Sequence, residues 1–222
     1  NQTMGTDHKH RHDAAPVEVM LSLLHKAGYD VIFPEGMENL CCGTIWESKG
    51  LPEIALKKTR QLEDALWEAS EHGKYPVVSD QSPCLHRMKQ HISKVELYES
   101  TEFIWKFLKD RLTFRQTDTP VALHLTCSTK LMKIDRIVYD LACLCSSDVL
   151  IPEGVGCCGF AGDRGFTFPQ LNSHGLRALK EQTSGLADGT GKPCTSGYSS
   201  SRTCEIGLSK HSGITFKSIL YL

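Results

Sequence analysis

The chain has 222 residues, a formal charge of -1 and 40% hydrophobic residues. That hydrophobic share supports a real core, and the length suits one compact body or two small, similar halves. The balanced charge offers no broad basic surface, so neither nucleic acid nor acidic lipid is expected as a partner, and no apolar run approaches the ~18 residues of a membrane span.

The segment Asn1–Pro16 lacks the charged and apolar regions of a secretory signal. The chain also starts without Met and ends in the apolar "ITFKSILYL", so it reads as a piece of a larger cytoplasmic protein. Ten cysteines are many for this length. In a reducing compartment they argue for thiolates held by metal rather than for a disulfide framework.

In chain order, Val17, Met20, Leu21 and Leu24 recur at helical spacing until Gly28 stops the pattern. "DVIFPEG" (30–36) follows as a short strand. A cysteine turn comes next, and Pro52 opens a second helix that ends before Gly73. "YPVVSDQSPC" is a strand running into a loop that ends at Cys84, and "KVELYES" is a strand leading into the helix "TEFIWKFLKDRL". The order then repeats. Strand "VALHLTC", helix "TKLMKIDRIVYDLACLC", strand "DVLIPEG", a second cysteine turn and helix "FPQLNSHGLRALKEQ" lead to "CTSGYSSSRTCEIGL" and the final apolar run.

The two copies agree residue by residue. Asp30, Pro34, Glu35, Gly36, Cys41, Cys42, Gly43 and Pro52 recur as Asp148, Pro152, Glu153, Gly154, Cys157, Cys158, Gly159 and Pro169, with Cys84 answered by Cys204. Such an internal repeat implies two α/β halves, 1–117 and 118–222, the first incomplete at its start and the second at its end. Strands alternating with helices imply parallel or mixed sheets covered by helices. In such sheets, sites form at the carboxyl ends of the strands, which is where these cysteines fall. The expected metal ligands are Cys127, Cys157, Cys158 and Cys204 in the second half, and Cys41, Cys42 and Cys84 in the first. Four thiolates suit either zinc or an iron–sulfur cluster. Close C-x-x-C pairs, the mark of zinc knuckles, are missing.

"HLTC" (124–127), "GVGCCGFAG" (154–162) and "NLCCG" (39–43) resemble the cysteine-rich CCG domain of heterodisulfide reductases, glycolate oxidase iron–sulfur proteins and lactate-utilisation proteins. The tail "GYSSSRTCEIGLSKHSGI" is similar to the C-terminal region of large bacterial D-lactate dehydrogenases. The resemblance implies an electron-transfer module carrying an iron–sulfur cluster, of the 4Fe-4S kind, with zinc as the other metal to consider. It further implies FAD on another domain of the parent chain, a ferredoxin-like domain beside it, and a cytochrome or quinone acceptor at the inner face of the cell membrane. Two other readings stay open: a thiol/disulfide site like that of heterodisulfide reductase, and a structural zinc domain used for docking. Gln81 and Ser201 stand where that reductase has the first cysteine of a closing C-x-x-C. The first half also has no counterpart of Cys127, whose strand would precede Asn1.

Other candidates have plainer readings. Cys143 and Cys145 lie on an apolar helical pattern and are expected to be buried small side chains. Cys194 lacks matching neighbours and ranks below the other ligands. His124 is expected to be a strand histidine bonded to a neighbouring loop, and His8–His12 a solvated terminus. Glu35 and Glu153 suit turns, while Asp163 with Arg164 and Glu47 with Lys49 are expected surface ion pairs. "GVGCCG" matches G-x-G-x-x-G, but the next helical pattern opens too late for a dinucleotide site. No catalytic residue is assigned.

Overall fold

The computed structural model describes residues 14–185 and 192–222. His8–His12 lies outside them. The architecture is α/β with parallel sheets flanked by helices. Helix α1 (Pro16–Lys26) starts with Pro at its first position, which removes one orphan donor, and Glu18 accepts the Ala15 N–H at 2.8 Å, which satisfies another. It buries Met20 and Leu24. After the cysteine turn come α2 (Thr44–Ser48) and the long α3 (Pro52–Ala69). Strand β1 (Val77–Ser79), helix α4 (Ser82–His91) and strand β2 (Leu97–Glu99) follow, and β1 and β2 pair in parallel. Helix α5 (Ser100–Phe103) runs into a π-helical turn at Ile104–Leu108.

The second sheet has four parallel strands in the order β4 (Val149–Leu150), β3 (Val121–His124), β5 (Ser196–Ser199), β6 (Phe216–Ser218). Buried on both faces, β3 is wholly apolar up to His124. The helices are α6 (Cys127–Leu131), α7 (Asp135–Cys145), α8 (Arg164–Thr167), α9 (Gln170–Gly175), α10 (Leu179–Thr183) and α11 (Arg202–Ser212).

Three expectations need correction. The segment Asp30–Pro34 is extended but is no strand. Its counterpart β4 exists by pairing with β3, whereas among the described residues no strand of the first half stands in the place of β3. Ile32 and Phe33 consequently remain 60% and 48% exposed. The helix expected across Thr129–Cys145 breaks into α6 and α7 at Lys133, which takes a left-handed φ of 58°. Finally, Cys84 and Cys204 lie not in loops but in the first turn of α4 and α11, with Gln81 and Ser201 immediately before those helices.

The cores cross between the two sequence copies. One cluster joins Met20, Leu24, Phe103, Ile104 and Leu108 to Leu141 of α7. It also holds edge-to-face aromatic pairs of Phe103 with Tyr29 and Tyr98, at 5.8 and 6.0 Å. A buried polar seam runs beside it: the Ser82 hydroxyl lies 2.7 Å from that of Ser200, which in turn is 3.4 Å from that of Thr126.

Candidate metal centre

Each cysteine pair sits in the same kind of turn. The glycine after it, Gly43 or Gly159, has φ of 91° or 73° and presses on the second helix after the turn, α3 or α9. A Cβ on Gly43 would meet the Ala55 carbonyl oxygen at 2.5 Å, and one on Gly159 would lie 2.6 Å from the Leu171 carbonyl carbon. Ala55 and Leu171 stand at the same distance along the chain from their glycines. In both turns the glycine N–H donates to the first sulfur of the pair at 3.4 Å, Gly43 to Cys41 and Gly159 to Cys157. A glycine is therefore required twice over, by conformation and by space.

The carbonyl of the second cysteine is anchored too. Cys42 O accepts from Thr59 Oγ1 at 2.8 Å and from Arg87 Nε at 2.9 Å. Cys158 O accepts from Asn172 Nδ2 at 2.7 Å. Sequence reading missed all three anchors. Arg87 is buried and pairs with Glu47, and Lys49 pairs with Asp163 at 2.7 Å. The expected pairings of Glu47 with Lys49 and Asp163 with Arg164 give way to contacts between elements, because α2 faces both α4 and the second cysteine turn.

Four thiols meet in the second half. Cys127 opens α6 after β3, Cys157 and Cys158 follow β4, and Cys204 lies in α11 after β5. The Cys158 thiol donates to Cys204 Sγ at 3.0 Å, and Cys157 interacts through its side chain with both Cys127 and Cys158. All ten cysteines are unbridged. Contact with Cys127, then with Cys158, holds the Cys157 thiol down to about 2, while the same crowding pushes Cys127 and Cys158 above the ordinary thiol range. The contacts thus favour the thiolate at Cys157 over those at Cys127 and Cys158.

In the first half, the Cys84 contact lowers Cys42 to about 6, helped by Thr44 and Arg87, and Cys84 is raised by the same contact and by burial. Cys41 acts on Cys84 only through its charge.

Sulfurs crowded in this way cannot all ionise unless positive charge is placed among them, and a thiolate-binding metal centre supplies that charge and displaces the protons. The donor chemistry of Cys127, Cys157, Cys158 and Cys204 fits such a group. Among the described residues, however, no group of three or more His, Cys, Asp or Glu side chains is arranged to hold a single metal ion. The thiols touch pairwise along a path rather than enclosing one point.

His124 is a strand histidine, as expected, but its partner lies on the adjacent strand rather than on a loop. Its Nδ1 lies 3.1 Å from Ser199 Oγ on β5, and its buried Nε2 has no hydrogen-bond partner. Burial, with Lys130 assisting, lowers it to about 4, so the ring is neutral. Cys194 is buried in the same apolar cluster as Cys158 and Cys204. Cys143 and Cys145 are half-buried on α7. The Glu153 backbone exchanges bonds with the Gln182 side chain at 2.6 and 2.9 Å, an ordinary turn closure. The turn at 154–159 leads into α8 only at Arg164, too late for a phosphate-binding helix start.

These features define an α/β module with two cysteine pairs in glycine turns, the second of them at the carboxyl end of the parallel strand β4. Residues 7–89 match the family model CCG, described as a cysteine-rich domain. The match includes Cys41, Cys42 and Cys84. CCG domains are cysteine-rich modules found in iron–sulfur redox proteins. No curated protein and no solved structure matches the chain. Among the described residues, no helix is long and apolar enough to cross a membrane.

Proposed function

We propose that this chain is the iron–sulfur electron-transfer module of an FAD-dependent D-lactate dehydrogenase. Residues 1–117 and 118–222 are two repeats of one unit, and the second repeat holds the cluster. The observation that carries this reading is the meeting of Cys127, Cys157, Cys158 and Cys204 at three adjacent strand ends, with Cys158 and Cys204 sulfurs 3.0 Å apart. Those four residues would hold the cluster, which when bound supplies one-electron storage at a potential set by its surroundings. The chain's part is to keep the four sulfurs together, to bury Cys158 and Cys204 from water, and to surround them with the apolar side chains of Val155, Phe160 and Leu208. Oxidation of the 2-hydroxy acid belongs to a flavin on another domain of the parent chain, next to a ferredoxin-like domain, with a cytochrome or quinone as acceptor on the cytoplasmic side.

Metal analysis after anaerobic purification tests the reading. Iron with acid-labile sulfide is expected, held through the second half. Zinc alone would replace the relay by a structural docking domain, and neither metal under anaerobic conditions would leave a thiol/disulfide module.

A further inference from the structure

The two cysteine turns are equivalent, yet they are anchored by different residues. Arg87 lies three residues beyond Cys84 on α4, and the same place beyond Cys204 on α11 is Gly207. In the first half, Arg87 reaches from α4 to the Cys42 carbonyl. In the second, Asn172 reaches the Cys158 carbonyl from α9, at 2.7 Å and only 3% exposed. Two glycines make room for it. A Cβ on Gly207 would come within 3.4 Å of Asn172 Nδ2 and 3.0 Å of Phe160, and a Cβ on Gly165 would come within 2.9 Å of Asn172 Oδ1.

We propose that Asn172 is a positioning residue of the second half's thiol centre, seated in a slot that Gly165 and Gly207 keep open. By holding the Cys158 carbonyl, it fixes the peptide between Cys158 and Gly159. That peptide sets how the paired thiols face Cys127 on one side and Cys204 on the other. The backbone of Asn172 also bears on the turn, since its nitrogen lies 3.0 Å from where a Gly159 Cβ would stand. The role rests on the reading of these thiols as a cluster site, but the anchor itself acts on sulfur placement and can be measured without metal. Loss of an outer residue that orients ligands typically costs about 10- to 100-fold in metal affinity.

The test compares Asn172→Ala with Thr59→Val, which removes a buried donor to the corresponding Cys42 carbonyl. Each is reconstituted anaerobically and assayed for iron and acid-labile sulfide. In parallel, the metal-free proteins are titrated with phenylarsine oxide, which bridges two thiols held close together, and peptide mapping reads capture at Cys158 and Cys204 separately from capture at Cys42 and Cys84. Asn172→Ala should lose about tenfold or more in both iron retention and arsenical capture by Cys158 and Cys204, while Thr59→Val keeps both. If Asn172→Ala does not fold, Gly207→Ala perturbs the same anchor from the opposite helix and should weaken both readouts in the same direction. Arsenical capture lost in Asn172→Ala, with no iron in the unsubstituted protein, upholds the anchor and removes the cluster reading. Unchanged capture in Asn172→Ala, or equal loss in Thr59→Val, overturns the proposal.

Discussion

Replacing Gly159 by Ala isolates how tightly the second cysteine turn is pressed onto α9. Two costs add at this position. The left-handed φ of 73° costs an L side chain about 1 kcal/mol. The added methyl also meets backbone that cannot swing aside: the Leu171 carbonyl carbon at 2.6 Å and Asn172 N at 3.0 Å. Forcing α9 away from the turn costs roughly another 1–3 kcal/mol, as overpacking usually does. Gly154 supplies the matched control in the same loop, because its φ is 69° but nothing lies within 4 Å of its would-be Cβ. Gly154→Ala should therefore show the conformational cost alone, reduced somewhat by the stiffer unfolded chain.

The assay is urea unfolding of the two metal-free variants beside the unsubstituted protein. A difference of about 2 kcal/mol between the variants corresponds to about 1 M in midpoint at an m-value near 2 kcal/mol/M. Gly43→Ala should behave like Gly159→Ala, since its methyl would meet the Ala55 carbonyl oxygen at 2.5 Å. Equal midpoints for Gly159→Ala and Gly154→Ala would refute the reasoning, because the turn would then not be seated on the helix at all.

Two further outcomes follow from the site. Cys158→Ser should cut bound metal to less than about a tenth, whereas Cys42→Ser should leave most of it; equal depletion, read by elemental analysis, would mean a single centre shared by the halves. His124 titrates near 4 when folded and near 6.5 when exposed, so the unfolded chain binds the proton first. Its stabilisation of the metal-free protein is full above pH 6.5 and is lost as pH falls toward 4, by about 3 kcal/mol in all. Urea midpoints measured from pH 7.5 to 4.5 should fall more steeply for the unsubstituted protein than for His124→Gln, and parallel curves would deny His124 the role.

The α/β class and the cysteine turns were legible because both rest on local pattern. Alternating apolar runs mark the strands, and a glycine needed for φ above zero marks the turn in each copy. Placement of Cys84 and Cys204 was less legible. Serine and proline after β1, and two serines after β5, suggest loops, but Ser82 and Arg202 already begin helices whose first turn carries the thiol. The anchors were illegible for a different reason. Arg87 and Asn172 act from α4 and α9 on carbonyls 45 and 14 residues away in sequence, and no local pattern marks such a contact.

The difference between the two anchors joins a larger one between the halves, and one structural feature accounts for both of its signs. Strand β3 does two things in the second sheet: it gives β4 a partner along Val121–Ala122, and it delivers Cys127 at its carboxyl end. Its residue Leu123 is wholly buried in an apolar cluster against which Val149 and Tyr198 pack. Among the described residues, the first half has no strand in that position. Asp30–Pro34 consequently stays extended without a ladder, and the cysteine turn after it gathers three thiols instead of four. The exposed Ile32 and Phe33 and the incomplete thiol set are therefore not separate observations. A strand that pairs there would cover the first and, if it ended in cysteine, complete the second, which is why metal binding in this chain is expected to follow Cys158 rather than Cys42.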